Sequence, residues 1–542
     1  MKKRKLFLTL ALMFSVMAAN VNAGLFFNKK SDEKKEMVQI DPNKPGWQQD
    51  DSQVTYDWYI NYSWFGGKWG EDYVTKEITE KTGVSVNYIV PAGNGTEKLN
   101  TMIASGTLPD LITLDARDSI IDLMIKGGQV YALDELAKKY DPYFFKVASK
   151  DKLNWFKQED GHTYGYPNAS YTLEDYKTAT KISSNQTFLV RKDMYEAIGS
   201  PDMSTPEGFL KALRAVKEKF PTVNGQPVIP IGFQEGVENS LGDYLQNFLA
   251  VPLEKDGKVY DRYTDPDYIK WLKTFRQAYE EGLIATDVFV DKRSQIEEKM
   301  SQGRYFSMLY PHIDALRPLT VRYKEDPNSV YIAVDGPKNS KGDEHQLAGP
   351  GISGWTVTLI SKNCKDPAKA IRFFTYMISE EGQRTVYLGK QGKTWDMIDG
   401  KPQLLPEVKK LREENRKAFD QIHGADDMHW MFMDVAMQQE KWGLPPAGPN
   451  KQPIEWTYGK VYPRFQMEMI EPKKNTPEGI IADKIALKRS ATIGKLITAE
   501  SEKEFDDILQ DFIDYRNKVG FEKLEAYRTK KMQENKAKLG LK

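Results

Sequence analysis

The amino-acid sequence predicts an α/β fold built on sheets with parallel strands, and three observations carry the prediction. From about residue 54, short runs rich in β-branched and aromatic residues alternate with amphipathic helical runs, a pattern that makes parallel sheets. Helical runs stop at glycines, among them Gly83, Gly106, Gly199, Gly282 and Gly303, which supply the left-handed residue past a helix end. Strand runs end directly in polar residues, as Leu111-Ile112-Thr113-Leu114 leads into Asp115-Ala116-Arg117-Asp118. Sheets of this kind bind ligands in the crevice beyond the carboxyl ends of their strands.

The elements follow in order. VTYDWYI from residue 54 reads as a strand, and NYSWFGGKWG as a Gly- and Trp-rich loop. EDYVTKEITEKTG is a helix with acids at its start and Gly83 as its stop. VSVNYIV is a second strand, GTEKLNTMIASG a second helix and DLITL a third strand. The ligand-facing loops would be 61–70, 91–96 and 115–118. SNQTFLVRKDMYEAIGSP repeats strand then helix. STPEGFLKALRAVKEKFP opens with Ser204 or Thr205 to cap, Pro206 in the first turn and Glu207 against the dipole. Later come a strand in VIPIGFQEG, a helix that buries Trp271, a strand in YFSMLYPH and another in GWTVTLIS. From about residue 501 the chain is highly charged with helical periodicity.

With 542 residues the chain is long enough for roughly three domains. Lys+Arg and Asp+Glu both number 77, which argues against a general nucleic-acid binder. The one cysteine, Cys364, excludes an intrachain disulfide and a cysteine-based metal cluster. MKKRK followed by LFLTLALMFSVMAA and VNA reads as a secretory signal peptide over residues 1–23, because the apolar stretch is short for a membrane span. Its removal takes away four basic residues and no acids, for a net charge of −4. Residues 24–53 are polar and read as a flexible leader.

Motifs for chemistry are sparse. Gly349 to Gly354, GPGISG, matches G-x-G-x-x-G, but a phosphate-binding version should follow a strand and open a helix. Here WTVTLIS reads as a strand, so the loop is expected to bring backbone close to another segment or a ligand. Neither a phosphate-cradling P-loop nor a zinc-protease, serine-hydrolase or calcium-loop pattern is present. His423 and His429 with Asp426 and Asp427 read as a polar segment before a metal cluster. No catalytic residue, cofactor or metal is assigned.

The informative feature is aromatic. Trp, Tyr and Phe make up 12% of the chain, and several sit at strand ends or in glycine loops. Such rings stack on the C–H faces of a polar, uncharged ligand while fixed polar groups take its hydroxyls. The stacking candidates are Trp64, Trp69, Tyr166, Tyr310, Trp355 and Trp395. The hydrogen-bonding candidates, placed by loop position, are Asn94, Asp115, Arg117, Asn168, Glu235 and His312. Trp430, Trp442 and Trp456 lie in a less readable region that could also face the cleft.

The order of EITEKTGVSV, KLNTMIASGTLPDLI, LVRKDMYEAIGSP, TPEGFLKALRAVKEKFP, WLKTFRQAYEEGLI, EEKMSQGRYFSM, GWTVTLISKNCKDPAKAIRFFTYMISEEGQ and GKTWDMIDG resembles the family-1 extracellular solute-binding proteins of carbohydrate ABC importers. The long lipoprotein and alginate-oligosaccharide-binding members are the nearest in kind. The resemblance implies a two-lobed periplasmic-binding-protein-like fold of type II, with a ligand cleft between lobes and a helical C-terminal extension over 501–542. It places 54–167 and 333–390 in the first lobe, and 168–332 and 391–500 in the second, with crossings near GYPNAS and YIAVDGP. It implies a monomer that is not an enzyme, a sugar or oligosaccharide ligand, and an ABC permease in the cytoplasmic membrane as partner. Many long members carry a lipid-modified cysteine after the signal, whereas position 24 here is Gly. The expected location is therefore the periplasm of a two-membrane bacterium. The other readings are a binder of peptides or small acids, a ligand-presenting partner of a membrane sensor, and an exported glycan-active enzyme.

Overall fold

Two mixed sheets, each with its own helices, organise the chain. The computed structural model describes residues 41–93, 95–179, 181–443 and 445–541, so the expected signal peptide and Asn94 lie outside the described residues. The first sheet contains β1 (Val54–Ile60), β2 (Val84–Ile89), β3 (Leu111–Asp115) and β4 (Gly165–Pro167), together with β10 (Thr356–Ile360) from much later in the chain. Its order is β2-β1-β3-β10-β4. β1 runs parallel to β2 and β3, and β10 is antiparallel to β3 and β4.

Alternation along β1 explains its place inside the sheet, between β2 and β3. Tyr56, Trp58 and Ile60 face one hydrophobic cluster while Tyr59 faces another, as the period of two along a strand requires. Trp58 Nε1 donates to Thr113 Oγ1 at 2.8 Å, and Thr113 Oγ1 meets Thr358 Oγ1 at 2.8 Å, so polar groups inside the sheet are satisfied across three strands. The first helix, α1 (Tyr73–Thr82), starts where Asp72 accepts from Thr75 N at 2.8 Å, and α2 (Gly95–Ser105) leads into β3.

The second sheet holds β5 (Gln186–Arg191), β6 (Ile229–Phe233), β7 (Tyr305–Pro311) and β8 (Tyr331–Ala333) in the order β8-β5-β7-β6. β7 is parallel to β6 and antiparallel to β5. The helix α3 (Pro206–Lys219) is capped by Thr205, whose hydroxyl accepts from Gly208 N at 3.1 Å. Phe209 packs edge-on against Trp271 and Phe275 of α4 (Pro266–Glu280). Trp271 is buried, as its helical spacing implies.

Two expected boundaries give way. Residues 391–443 do not join the second lobe: Val408, Phe419, Ala425, Trp430 and Phe432 are buried in the cluster that contains Tyr56, Trp58 and Phe373 of the first. Burying these apolar side chains against the first sheet and α5 (Pro367–Ile378) outweighs any pattern visible along the chain. Nor is the expected leader free over 41–53. Trp47 is buried beside Tyr143 and Tyr376, and Asp50 pairs with Lys369 at 3.4 Å and with Arg372.

Between the sheets the chain passes through 168–185 and 334–355, and returns after Trp442 to the helical turn Lys451–Trp456, which packs on β8. In the last two of these stretches lie the paired short strands β9 (Leu347–Ala348) and, just beyond, β11 (Val461–Tyr462). The C-terminal helices are α6 (Pro477–Thr498), α7 (Glu502–Val519) and α8 (Phe521–Leu539). Ile493, Leu496, Ile497 and Phe505 complete the second lobe's core. α8 touches both bodies: Asn154 donates to Lys538 O at 3.0 Å, and Gln533 donates to Gly257 O at 2.7 Å.

Candidate functional site

The carboxyl ends of the first sheet carry an aromatic shelf. β1 ends at Ile60, and the turn closed by Phe65 N donating to Tyr62 O presents Tyr62 and Trp64. β10 is antiparallel, so its beginning lies beside the carboxyl end of β3, with Thr356 opposite Asp115. This brings Trp355 next to the Asp115–Arg117 turn, where Ala116 N donates to Trp355 O at 3.0 Å. Trp430 arrives from the segment that packs on the first core. The Trp64 and Trp355 rings are stacked at 9° with centroids 5.9 Å apart. Trp355 lies 4.5 Å from Trp430, and Tyr62 lies 5.0 Å from Trp355.

Exposure divides this group by role. Trp64 is 61% exposed, the most open tryptophan among the exposed large side chains. Trp430 is buried with its Nε1–H unpartnered. Beside the shelf, Arg117 donates to both oxygens of Asp115 at 2.9 Å. Burial pushes the Asp115 carboxyl up, and its bonds to Arg117 outweigh this and hold it below its ordinary value. Burial, reinforced by the Asp115 charge, pushes the Tyr62 phenol up. The site therefore offers the open ring of Trp64 and a charged rim of Asp115 and Arg117, a set that suits a hydroxyl-rich ligand with apolar faces.

Asn168 builds this arrangement from beneath. Its Oδ1 accepts from Thr356 N at 2.8 Å and its Nδ2 donates to Trp430 O at 2.9 Å. One buried amide thus fixes the backbone at both Trp355 and Trp430. Gly354 makes room for it: a Cβ there would stand 2.0 Å from Asn168 O, at a φ of 63°. The rest of GPGISG binds an anion from the same chain. Glu468 accepts from Ile352 N and Ser353 N, both at 2.8 Å, and a Cβ on Gly351 would meet its carboxylate at 2.2 Å. The loop precedes β10 and no helix, in keeping with a close backbone approach.

The carboxyl ends of β6 and β7 in the second lobe carry Glu235, Tyr310 and His312. Glu235 is exposed and pairs with Lys292 at 2.9 Å. Tyr310 is buried with its phenol pushed up, first by burial and then by Asp314. His312 is buried, with Nε2 3.0 Å from Ser184 O, and burial lowers its pKa.

Of the residues expected in the site, Trp64, Trp355, Asp115 and Arg117 converge, Glu235 is exposed just past β6, and Tyr310 is buried in the second lobe's core. Others are placed as framework. Trp69 donates to Thr79 Oγ1 at 2.8 Å and packs edge-on against Phe373. Tyr166 is buried, its hydroxyl accepting from Ser149 N at 3.2 Å. Trp395 is buried and donates to Gly389 O at 2.8 Å. Asn168 and His312 are likewise buried: Asn168 holds the shelf's backbone, and His312 is bonded to Ser184 O within the second lobe. Tyr62 was not among the candidates, although its place two residues past a strand end was a usable signal. His429 pairs with Asp72 at 3.0 Å and His423 meets Thr394 at 3.0 Å, while Asp426 and Asp427 pair with arginines. Among the described residues no cluster could hold a metal ion, and no helix is long and apolar enough to cross a membrane.

Lipoprotein LipO of Bacillus subtilis is 24% identical over 60% of this chain and 64% of its own length. FusA of Streptococcus pneumoniae, a fructooligosaccharide ABC transporter substrate-binding protein, is 29% identical over 44% of this chain and 46% of its own. The matched region thus spans less than two thirds of either relative. In three dimensions the alginate-binding protein AlgQ2 superposes with a TM-score of 0.62, at 19% identity, over 90% of this chain and all of that one. FusA in complex with kestose gives 0.62 at 19% identity, over 89% of this chain and all of that one. The architecture is the two-lobed type II fold that these structures share. The profile of the bacterial extracellular solute-binding proteins matches residues 66–384, and the chain belongs to that family.

Proposed function

We propose that the protein is the substrate-binding component of an ABC importer. It captures a sugar or oligosaccharide between its lobes and delivers it to a permease in the cytoplasmic membrane, without chemical turnover. The observation that carries this reading is the shelf of Trp64, Trp355, Trp430 and Tyr62 beside the Asp115–Arg117 pair. Membership of the family supports it, and so does the likeness to FusA, whose name states a fructooligosaccharide ligand. In the open state the rings hold one face of the ligand. Exposed groups of the second lobe, with Glu235 just past β6, engage the other face and shift the population toward closure. The export-signal pattern of residues 1–23 and the extracellular family support a site of action outside the cytoplasm, and we read the protein as a periplasmic monomer.

A thermal-shift panel on the mature protein tests the proposal, with kestose, maltotriose, trigalacturonate and a tripeptide as probes. A bound sugar at about 100 times its dissociation constant adds roughly 2.7 kcal/mol and raises the melting point. Stabilisation by the tripeptide alone sinks the sugar reading. Release of shortened products from an intact glycan sinks the non-enzymatic one.

A further inference from the structure

Three charged groups meet where the second lobe joins the crossing chain, without hydrogen bonds to one another. Asp243 lies in the helical turn Asn239–Tyr244, Arg262 in the turn Arg262–Thr264, and Arg464 just past β11. Each guanidinium commits Nη2 inward: Arg262 donates to Asn247 Oδ1 at 2.7 Å, and Arg464 donates to Gln346 O at 2.6 Å. Each then aims Nη1 at the same oxygen, Asp243 Oδ1, from 3.7 and 3.9 Å. Both distances are beyond hydrogen-bond range. The other Asp243 oxygen is already taken, accepting from Gln186 Nε2 at 2.9 Å and Asn247 Nδ2 at 3.2 Å.

The arrangement is costly as it stands. The side chains of Arg262 and Arg464 are 13% and 16% exposed, and both Nε–H groups are buried without a partner. Burial, together with the neighbouring Arg464 cation, lowers Arg262 to about 10. Asp243 is the carboxylate within ion-pair distance of both, and it does not close on either. The two arginines are buried while the Asp243 side chain is 54% exposed, so the gap between them opens to solvent.

The position is at the end of the second sheet. Gln186 opens β5, and its register partner is Pro311 at the carboxyl end of β7, so the antiparallel strand brings it to the edge where β6 and β7 end. Arg464 comes from the crossing segment that follows the β9–β11 pair. The gap is thus walled by the second lobe and by the crossing chain, where ligands of open α/β sheets settle.

We propose that this gap is a subsite for one hydroxyl group of the bound ligand. A hydroxyl has one hydrogen to donate and two lone pairs to accept with, and the gap presents one carboxylate oxygen and two N–H donors. A ligand carboxylate fits less well, because it would face Asp243 Oδ1 as a like charge. This rests on the sugar reading above, and it assigns the second contact region: rings on the first lobe, a fixed three-point hydroxyl site at the hinge side.

Two measurements test it separately from that reading. The first is a crystal structure of the wild-type protein with glycerol as the probe. A glycerol oxygen within hydrogen-bond distance of Asp243 Oδ1 and both Nη1 atoms is expected, and its loss in Asp243→Asn completes the support. Water alone in the gap, or direct Arg–Asp243 bonds that close it, overturns the proposal whatever the protein transports. The second is titration of the sugar panel against wild type, Asp243→Asn and Arg464→Lys. For the sugar that shifts the wild type, each variant that keeps the wild-type melting point without ligand is expected to bind about tenfold more weakly or worse, as for a site built around a hydroxyl. Unchanged affinity in both variants overturns the proposal. If no sugar shifts the wild type, it is the sugar reading that fails, and the glycerol result still decides the subsite.

Discussion

Trp64 and Trp69 stand five residues apart in one glycine-rich loop, yet only the first is open to solvent. Trp64→Ala is expected to weaken sugar binding about tenfold, or about 1.4 kcal/mol, while leaving the ligand-free melting point unchanged. Trp395→Ala is expected to do the reverse. Removing that buried ring costs roughly 3–5 kcal/mol of stability, read by chemical denaturation, and spares the affinity of whatever protein remains folded. Asn168→Ala strands Thr356 N and the Trp430 carbonyl, at roughly 1–3 kcal/mol for each buried group left unpaired. It should also shift tryptophan fluorescence as Trp355 and Trp430 lose their anchor. The sequence placed Trp64, Trp355, Asp115 and Arg117 correctly at strand ends, because strand ends are local features. It could not say that Tyr166, Asn168 and Trp395 turn inward, because side-chain direction in a loop depends on segments hundreds of residues away. Asn168 shows this best, since its partners are at positions 356 and 430.

Elements were legible wherever their signals are local. Thr205 and Pro206 open α3, and Asp265 and Pro266 open α4, as their side-chain chemistry dictates. The membership of elements in lobes was less legible. The stretch 391–443 contains ordinary amphipathic helices, and nothing in their spacing tells which body will bury Phe419 and Phe432. The C-terminal helix raises the same issue with a measurable outcome. Leu524 and Met532 of α8 are fully buried, although the helix is charged along most of its length. Leu524→Ala is expected to cost about 2–5 kcal/mol, measured by denaturant midpoint, which a decorative surface helix would not show.

At the scale of the whole molecule, buried histidines set an acid limit. Burial lowers His312, His345 and His423 below their ordinary 6.5. The unfolded chain therefore takes up more protons than the native one as pH falls through 6.5. Their stabilising contribution is present above that pH and is lost on acidification toward their folded values. His162, raised by its bond to Asp134, works in the opposite sense. The melting point is expected to fall from pH 7 to 5, and His345→Gln to flatten that slope; an unaltered slope in the variant removes His345 from the account. The fold class itself was readable at this scale, because eight weak segments in a fixed order constrain one another as no single motif does.

The place of β10 in the first sheet has a consequence for how the chain comes together in time. All four strands of the second sheet arise from one continuous stretch, Gln186 to Ala333, whereas β4 of the first sheet is held by a strand that begins at Thr356. A chain emerging from its N-terminus can pair its second sheet while the first still lacks the strand between β3 and β4. Long-range pairing of this kind is slow. Pulsed hydrogen exchange during refolding should therefore protect β5 and β7 before β4 and β10, and the reverse order would refute this sequence of events. Until Thr356 arrives, the edge of β3 is an open template, and a newly made molecule is most exposed to mispairing while it waits for its own late strand.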